Sequence, residues 1–284
     1  MGHPDRALLD ATLARVRQLR LRGARERTGT HFAEGFRAFL QAMEARIPVR
    51  ALVYSETLCG SGGAQKRVRF AKREGVPVVR VTPEEYRSVS MTVRASGIGA
   101  ILEQHWTPLS SADPLRGLCW LAVSRLRSPG NLGTILRTAE AVGAGGCFFL
   151  GRECDPFAPD VVRASMGGIF GLQLVRASPA DFAAWARRHR CRVVGASPSG
   201  VHEYTGVPVD PPLVLLLGEE RRGLTPGEEA LCTHLARIPL RGRADSLNVA
   251  VAAGVMLYEV LRRRGAGRGK SVHSRDSICD RLAP

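Results

Sequence analysis

Lysine is nearly missing from this sequence: only Lys66, Lys72 and Lys270 stand among 41 basic residues in a chain of 284. Arginine carries the rest. Heavy arginine use also follows from genome base composition, so total charge alone does not establish a polyanionic partner. The seven cysteines (Cys59, Cys119, Cys147, Cys154, Cys191, Cys232 and Cys279) include no CxxC pair, and most lie in apolar runs. That removes a zinc site and a disulfide framework, and leaves small core residues of a reduced intracellular protein. No apolar run is long enough to span a bilayer. The N-terminus is polar, carries Asp5 and Asp10, and makes a poor signal or transit peptide. Gly2 lacks the Ser or Thr at position 6 that myristoylation needs. The cytoplasm is therefore the expected compartment. No GxGxxG follows the strand at 118–123 and no GxxxxGK[ST] occurs anywhere, so the usual dinucleotide and P-loop signals are missing.

What is present starts with charge. The balance of 41 basic to 26 acidic residues gives +15. Such a charge suits RNA or DNA, with an anionic membrane surface as the weaker alternative. Its distribution is uneven. Residues 1–113 hold 18 basic and 11 acidic side chains, residues 114–260 hold 16 and 13, and residues 261–284 hold 7 and 2. The electrostatic footprint is expected on the N-terminal part and the tail, with the chemistry between them.

Residues 5–22 show helical periodicity, with Leu8, Leu9, Leu13, Val16 and Leu19 on one side and arginines elsewhere. This is an ordinary amphipathic helix or an RNA contact. From about Thr30 short elements alternate: strand 31–35, helix 36–45, strand 49–54, helix 64–74, strand 76–81, helix 84–90 and strand 98–104. The pattern predicts a small α/β/α domain. The loop CGSGGAQKR (59–67) is read as RNA-touching or merely flexible. Residues 106–116 carry Pro and Ser without periodicity and read as a linker. Apolar strands follow at 118–123, 147–150, 171–175, 191–196 and 213–217, with a short one at 237–240. Helices lie between them: one entered through a tight loop marked by Pro129, Gly130 and Gly133 and ending at the Gly143–Gly146 cluster, and others near 159–166 and 180–189. This alternation predicts an open parallel sheet, whose ligands bind at the carboxyl ends of strands.

The unusual residues lie in three loops, after Val123, Leu217 and Leu240. They are SPGNLGTILRTAEAVGA (128–144), LLLGEERRGL (215–224) and IPLRGRADSLNVAVAAG (238–254). In the last, Ser246 stands where an N-cap is expected, ahead of an apolar helix over 247–263. Asn248 is an amide in the first turn of that helix, and a buried amide must find partners.

Together and in this order, the three segments resemble the signature motifs of the SpoU/TrmH family. These are SPOUT-class RNA ribose 2′-O-methyltransferases. The resemblance covers residues 118–262, and residues 30–104 are similar to the small substrate-binding domain of the family's ribosomal-RNA members. It implies a parallel α/β sheet tied C-terminally in a trefoil knot, with S-adenosylmethionine held at Gly218, Ile238, Leu240 and Leu247. It implies a polar site of Asn131, Arg137, Glu220, Ser246 and Asn248, no metal, a homodimer, and an Arg137 that works near the partner's pocket. Family accounts often make that arginine the base. A free guanidinium stays protonated, with a pKa above about 12, so a phosphate clamp that polarises the 2′-hydroxyl is the preferred role.

The expected organisation is a basic helix at 1–29, an RNA substrate-binding domain at 30–105, the linker at 106–116, the methyltransferase domain at 117–264 and a disordered basic tail at 265–284. Ribosomal RNA is the expected substrate, because transfer-RNA members usually lack the N-terminal domain. Two alternatives stay open: transfer RNA, and a non-catalytic RNA-binding or ribosome-assembly factor with the same fold.

Overall fold

The computed structural model describes residues 4–60 and 62–265, within which the strands form two sheets. The N-terminal region begins with α1 (Pro4–Gln18) and α2 (Arg22–Thr28). One helix over 5–22 was expected, but the chain breaks at 19–21. Arg25 explains the break. Its Nη1 donates to the carbonyls of Leu19 and Arg20, at 2.7 Å each, satisfying acceptors that a helix end leaves open. Then come β1 (Thr30–Glu34), α3 (Phe36–Glu44), β2 (Val49–Tyr54), α4 (Glu56–Cys59), α5 (Gly62–Arg73), β3 (Val78–Arg80), α6 (Pro83–Val89) and β4 (Ile98–Glu103). The sheet order is β1-β4-β2-β3, and it is mixed: β4 runs antiparallel to both neighbours while β2 and β3 are parallel. Most of the stretch read as a loop at 59–67 is helical, since α5 starts at Gly62.

The second sheet is parallel throughout, in the order β7-β6-β5-β10-β8-β11-β9. Its elements are β5 (Trp120–Ser124), α7 (Pro129–Ala141), β6 (Gly146–Leu150), α8 (Pro159–Ala164), β7 (Gln173–Ala177), α9 (Pro179–Arg188), β8 (Arg192–Ala196), β9 (His202–Glu203), β10 (Leu213–Leu217), α10 (Pro226–Glu229), β11 (His234–Arg237) and α11 (Val249–Gly265). Every residue of β5, β6 and β10 is buried, as befits central parallel strands covered on both faces. Alternation divides them: Leu121, Val123, Cys147 and Phe149 face one core, and Trp120, Ala122, Phe148 and Leu216 face the other. The short strand expected at 237–240 lies earlier, at His234–Arg237. The six described cysteines are free thiols, four of them buried. No helix among the described residues is long and apolar enough to cross a membrane.

The two sheets share a core. One continuous apolar cluster runs from Phe39, Leu52 and Leu102 of the N-terminal sheet to Leu121, Phe157 and Phe170 of the second. Residues 106–116 are packed against the second sheet. Thr107 N–H donates to Leu174 O at 2.8 Å, the Trp106 ring lies 4.3 Å from the Arg176 guanidinium carbon, and Ala112 is buried. At this seam His31 is 0% exposed, against the rings of Phe157 and Phe170, and neither ring nitrogen has a partner.

Burial first, then the nearby His105 and Arg25, push the His31 pKa from 6.5 down to about 3. Folded His31 therefore stays neutral where the unfolded chain takes up a proton, so stability is lost as pH falls below the unfolded value of about 6.5. At pH 5 this amounts to roughly 2 kcal/mol. The thermal unfolding midpoint should drop between pH 7 and pH 5, and His31→Leu should flatten that drop; an equal drop in the variant would refute the assignment.

Candidate active site

Sheet order reverses between β5 and β10, and beside that point the carboxyl ends of β10, β8 and β11 open onto one cleft. A cavity of about 390 Å³ lies among their loops. Gly218, Ile238, Leu240 and Leu247 all line it, as do Glu220 and Ser246. Ile238 and Leu240 are not strand residues. They follow β11 and give apolar walls to the cavity, with Leu240 37% exposed. Gly218 is needed for a reason closer to home. A Cβ there would collide with the backbone of Gly223, which closes the loop by exchanging N–H and C=O bonds with Glu219 at 2.9 and 3.1 Å.

Glu220 ties the loops together. Its carboxylate accepts from the backbone N–H of Ser128 at 3.0 Å and of Arg127 at 3.2 Å, and from Asn131 Nδ2 at 3.2 Å. Partial burial raises its pKa, but the bonds from Ser128, its own backbone, Arg127 and Asn131 outweigh that and hold it below the usual carboxylate value. Glu220 is thus a charged anchor for the first turn of α7. Asn131 passes the link on, since its Oδ1 accepts from Asn248 Nδ2 at 3.0 Å. Asn248 is exposed, not buried, and it is the cap of α11: its Oδ1 accepts from the N–H groups of Ala250 at 2.9 Å and Val251 at 3.3 Å. Ser246 therefore lines the cavity without capping the helix. One chain of bonds joins the three loops that the sequence singles out.

Arg137 stands apart from this chain. It lies six residues beyond Asn131 on α7, about 9 Å along the axis, and does not line the cavity. It is exposed and forms no ion pair among the described residues. Among those residues no group of three or more His, Cys, Asp or Glu could hold a metal ion.

The SpoU rRNA Methylase family profile matches residues 119–258. A 23S rRNA (uridine(2479)-2′-O)-methyltransferase of Streptomyces viridochromogenes is 31% identical over 254 residues, covering 87% of this chain and 88% of that protein. The chain belongs to the SpoU rRNA methylase family. An MRM3-like substrate binding domain matches residues 11–100. Two solved structures are similar over the whole fold. The AdoMet-bound rRNA methyltransferase from Sinorhizobium meliloti has a TM-score of 0.81 at 34% identity, over 89% of this chain and 94% of that one. The SpoU methyltransferase AviRb from Streptomyces viridochromogenes, in complex with AdoMet, has a TM-score of 0.82 at 29% identity, over 91% and 99%.

This SpoU methylase also has site residues that sequence reasoning missed. Ser197, Ser199 and Glu229 line the cavity from the loop after β8 and from α10. Arg125, with a left-handed φ of 54°, binds Glu228 through two bonds at 2.8 and 3.2 Å and faces Glu219 at 3.6 Å. Glu219, the acid outside the motif, is the more enclosed of the pair at 8% exposure, and it also meets Arg127 at 3.4 Å. Serine after an apolar strand was the only available signal for Ser197. The Arg125–Glu228 pair spans 103 residues and has none.

The two cap assignments differ in consequence. Asn248→Ala should lower the urea-unfolding free energy by about 1 kcal/mol, while Ser246→Ala should stay within about 0.5 kcal/mol of wild type. The reverse order would return the cap to Ser246.

Proposed function

We propose that this protein transfers a methyl group from S-adenosylmethionine to a ribose 2′-hydroxyl of large-subunit ribosomal RNA. The observation that carries the reading is the cavity beside the sheet's switch point, closed by loops that one hydrogen-bonded chain, Glu220–Asn131–Asn248, holds together. Ribosomal RNA as substrate makes the cytoplasm the working compartment. The knotted chain path of the family belongs to the same proposal.

The lining fits the co-substrate. Ile238, Leu240 and Leu247 offer apolar walls for a nucleoside base, and the carboxylates of Glu219, Glu220 and Glu229 suit a cationic sulfur. When bound, S-adenosylmethionine supplies an electrophilic methyl group on a positively charged sulfur. The chain's own residues do the rest. Glu220 keeps the 127–131 turn in place, and Ser246 and the two linked amides give the rim fixed polar groups. Arg137 clamps a neighbouring RNA phosphate and donates to O2′ as negative charge develops there, while the 2′-hydroxyl proton is released to solvent water. Holding the 2′-oxygen in line supplies a large share of the rate.

The distance of Arg137 from the Glu220 cluster supports a homodimer in which each Arg137 serves the partner's pocket. The outward face of α11 suits the contact, because Val251 and Tyr258 are 52% and 55% exposed. Arg137→Ala should lose about 100-fold or more in methyl transfer to ribosomal RNA, with S-adenosylmethionine affinity intact. Mixed dimers of Arg137→Ala with Glu220→Ala should regain activity, because one of their two pockets is then whole. A fully active Arg137→Ala protein would refute the role, and no recovery in mixed dimers would refute its action across the dimer.

A further inference from the structure

Away from the cavity, the side chains that are costliest to bury lie at the seam between the two sheets. Arg25 is 3% exposed, and its Nη2 sits 2.5 Å from Asp155 Oδ2 on the catalytic side. Its Nε has no partner. Replacing a buried ion pair by apolar side chains is often neutral or stabilising, so such a pair is weak evidence for stability as its purpose. What a directional pair does add is a single relative orientation.

A second contact repeats the arrangement nearby. The Gln41 amide, on α3, faces the carbonyls of Met166 and Gly167, and with the orientation that these two acceptors require its nitrogen donates to them at 3.1 and 2.9 Å. Both belong to the turn after α8, where φ is 52° and 90°. A Cβ on Gly167 would run into the Gln41 side chain. The next residue, Gly168, lies so close to α7 that a Cβ there would stand 3.0 Å from the Arg137 Cα. The N-terminal body is thus fastened to the turn that backs the helix carrying Arg137.

Magnitudes show why the fastening matters. A flexible connector of the 11 residues from 106 to 116 would let the N-terminal body wander by roughly 18 Å, a span of several nucleotides. Here the connector is pinned through Thr107 and Trp106.

We propose that Arg25, Asp155 and Gln41 are positioning residues for RNA: they hold the N-terminal body as a rigid arm at one distance and angle from the cavity, so that the methylated nucleotide is selected by measurement. The proposal rests on the ribosomal-RNA methyltransferase reading above. RNA bound to the arm presents to the cavity only the ribose at the set distance. Loosening the arm weakens productive RNA binding and blurs the choice of nucleotide, while the chemistry of a correctly bound RNA is kept.

The test compares wild type, Gln41→Ala and Arg25→Gln on in-vitro-transcribed 23S rRNA. It reads kcat, KM for RNA, the calorimetric Kd for S-adenosylmethionine and the modified positions by primer extension. Gln41→Ala should raise KM for RNA about ten-fold, leave kcat within about two-fold, leave the cofactor Kd unchanged, and add methylation at neighbouring nucleotides. Arg25→Gln should do the same more strongly. If it fails to fold, Gln41→Ala decides alone, since it removes only two hydrogen bonds at a half-buried position. A lower melting temperature with unchanged KM and a single modified nucleotide would overturn the proposal. A wild-type protein that labels no RNA would instead overturn the functional reading, before any variant is compared.

Discussion

One carboxylate holds the candidate site in shape. Glu220 leaves β10, reaches across to the start of α7, and satisfies two backbone N–H groups and the Asn131 amide there. Asn131 then fixes Asn248, and Asn248 caps α11. The charge is affordable because every one of these partners is a donor, and those bonds outweigh the desolvation that opposes them. Without it, the loops that line the cavity would be separate segments. With it, a helix start, a strand end and a second helix start share one geometry.

The rest of the molecule keeps that geometry rigid. Arg125 binds the loop beneath, through Glu219 and Glu228, and so joins the end of β5 to α10. Trp120, Phe148, Phe182 and Trp185 fill one face of the parallel sheet. The other face merges with the core of the N-terminal sheet. Much of the arginine in the first twenty residues is engaged internally: Arg6 with Glu85, Arg17 with Ser88 and Arg20 with the Ser90 carbonyl. The basic excess of the N-terminal part is thus partly structural.

Much of this was legible in the sequence. The parallel sheet followed from apolar runs alternating with helical stretches. The resemblance to the SpoU/TrmH motifs picked out Gly218, Glu220, Ile238, Leu240, Ser246 and Leu247, and all six line one cavity. The errors have physical causes. Ile238 and Leu240 looked like strand because they are apolar, but they are apolar toward the cavity. Ser246 looked like a cap by type, yet the chain enters its helix two residues later, at Asn248. The Arg25 that closes the break between the first two helices is itself held by Asp155, and the 106–116 segment is pinned by the contact of Trp106 with Arg176; these partners lie far away in sequence. Long-range contacts of this kind leave no periodicity to read. The expected tail falls outside the described residues beyond Gly265.

The account stands on the claim that Glu220 holds the cavity in its binding shape. Calorimetric titration of S-adenosylmethionine into wild-type and Glu220→Ala protein tests it most directly, with circular dichroism to show that both are folded. The account predicts saturable binding to wild type and at least about a ten-fold loss of affinity in the variant, equivalent to about 1.4 kcal/mol. Equal affinity in the two proteins, or no binding to wild type, would contradict it.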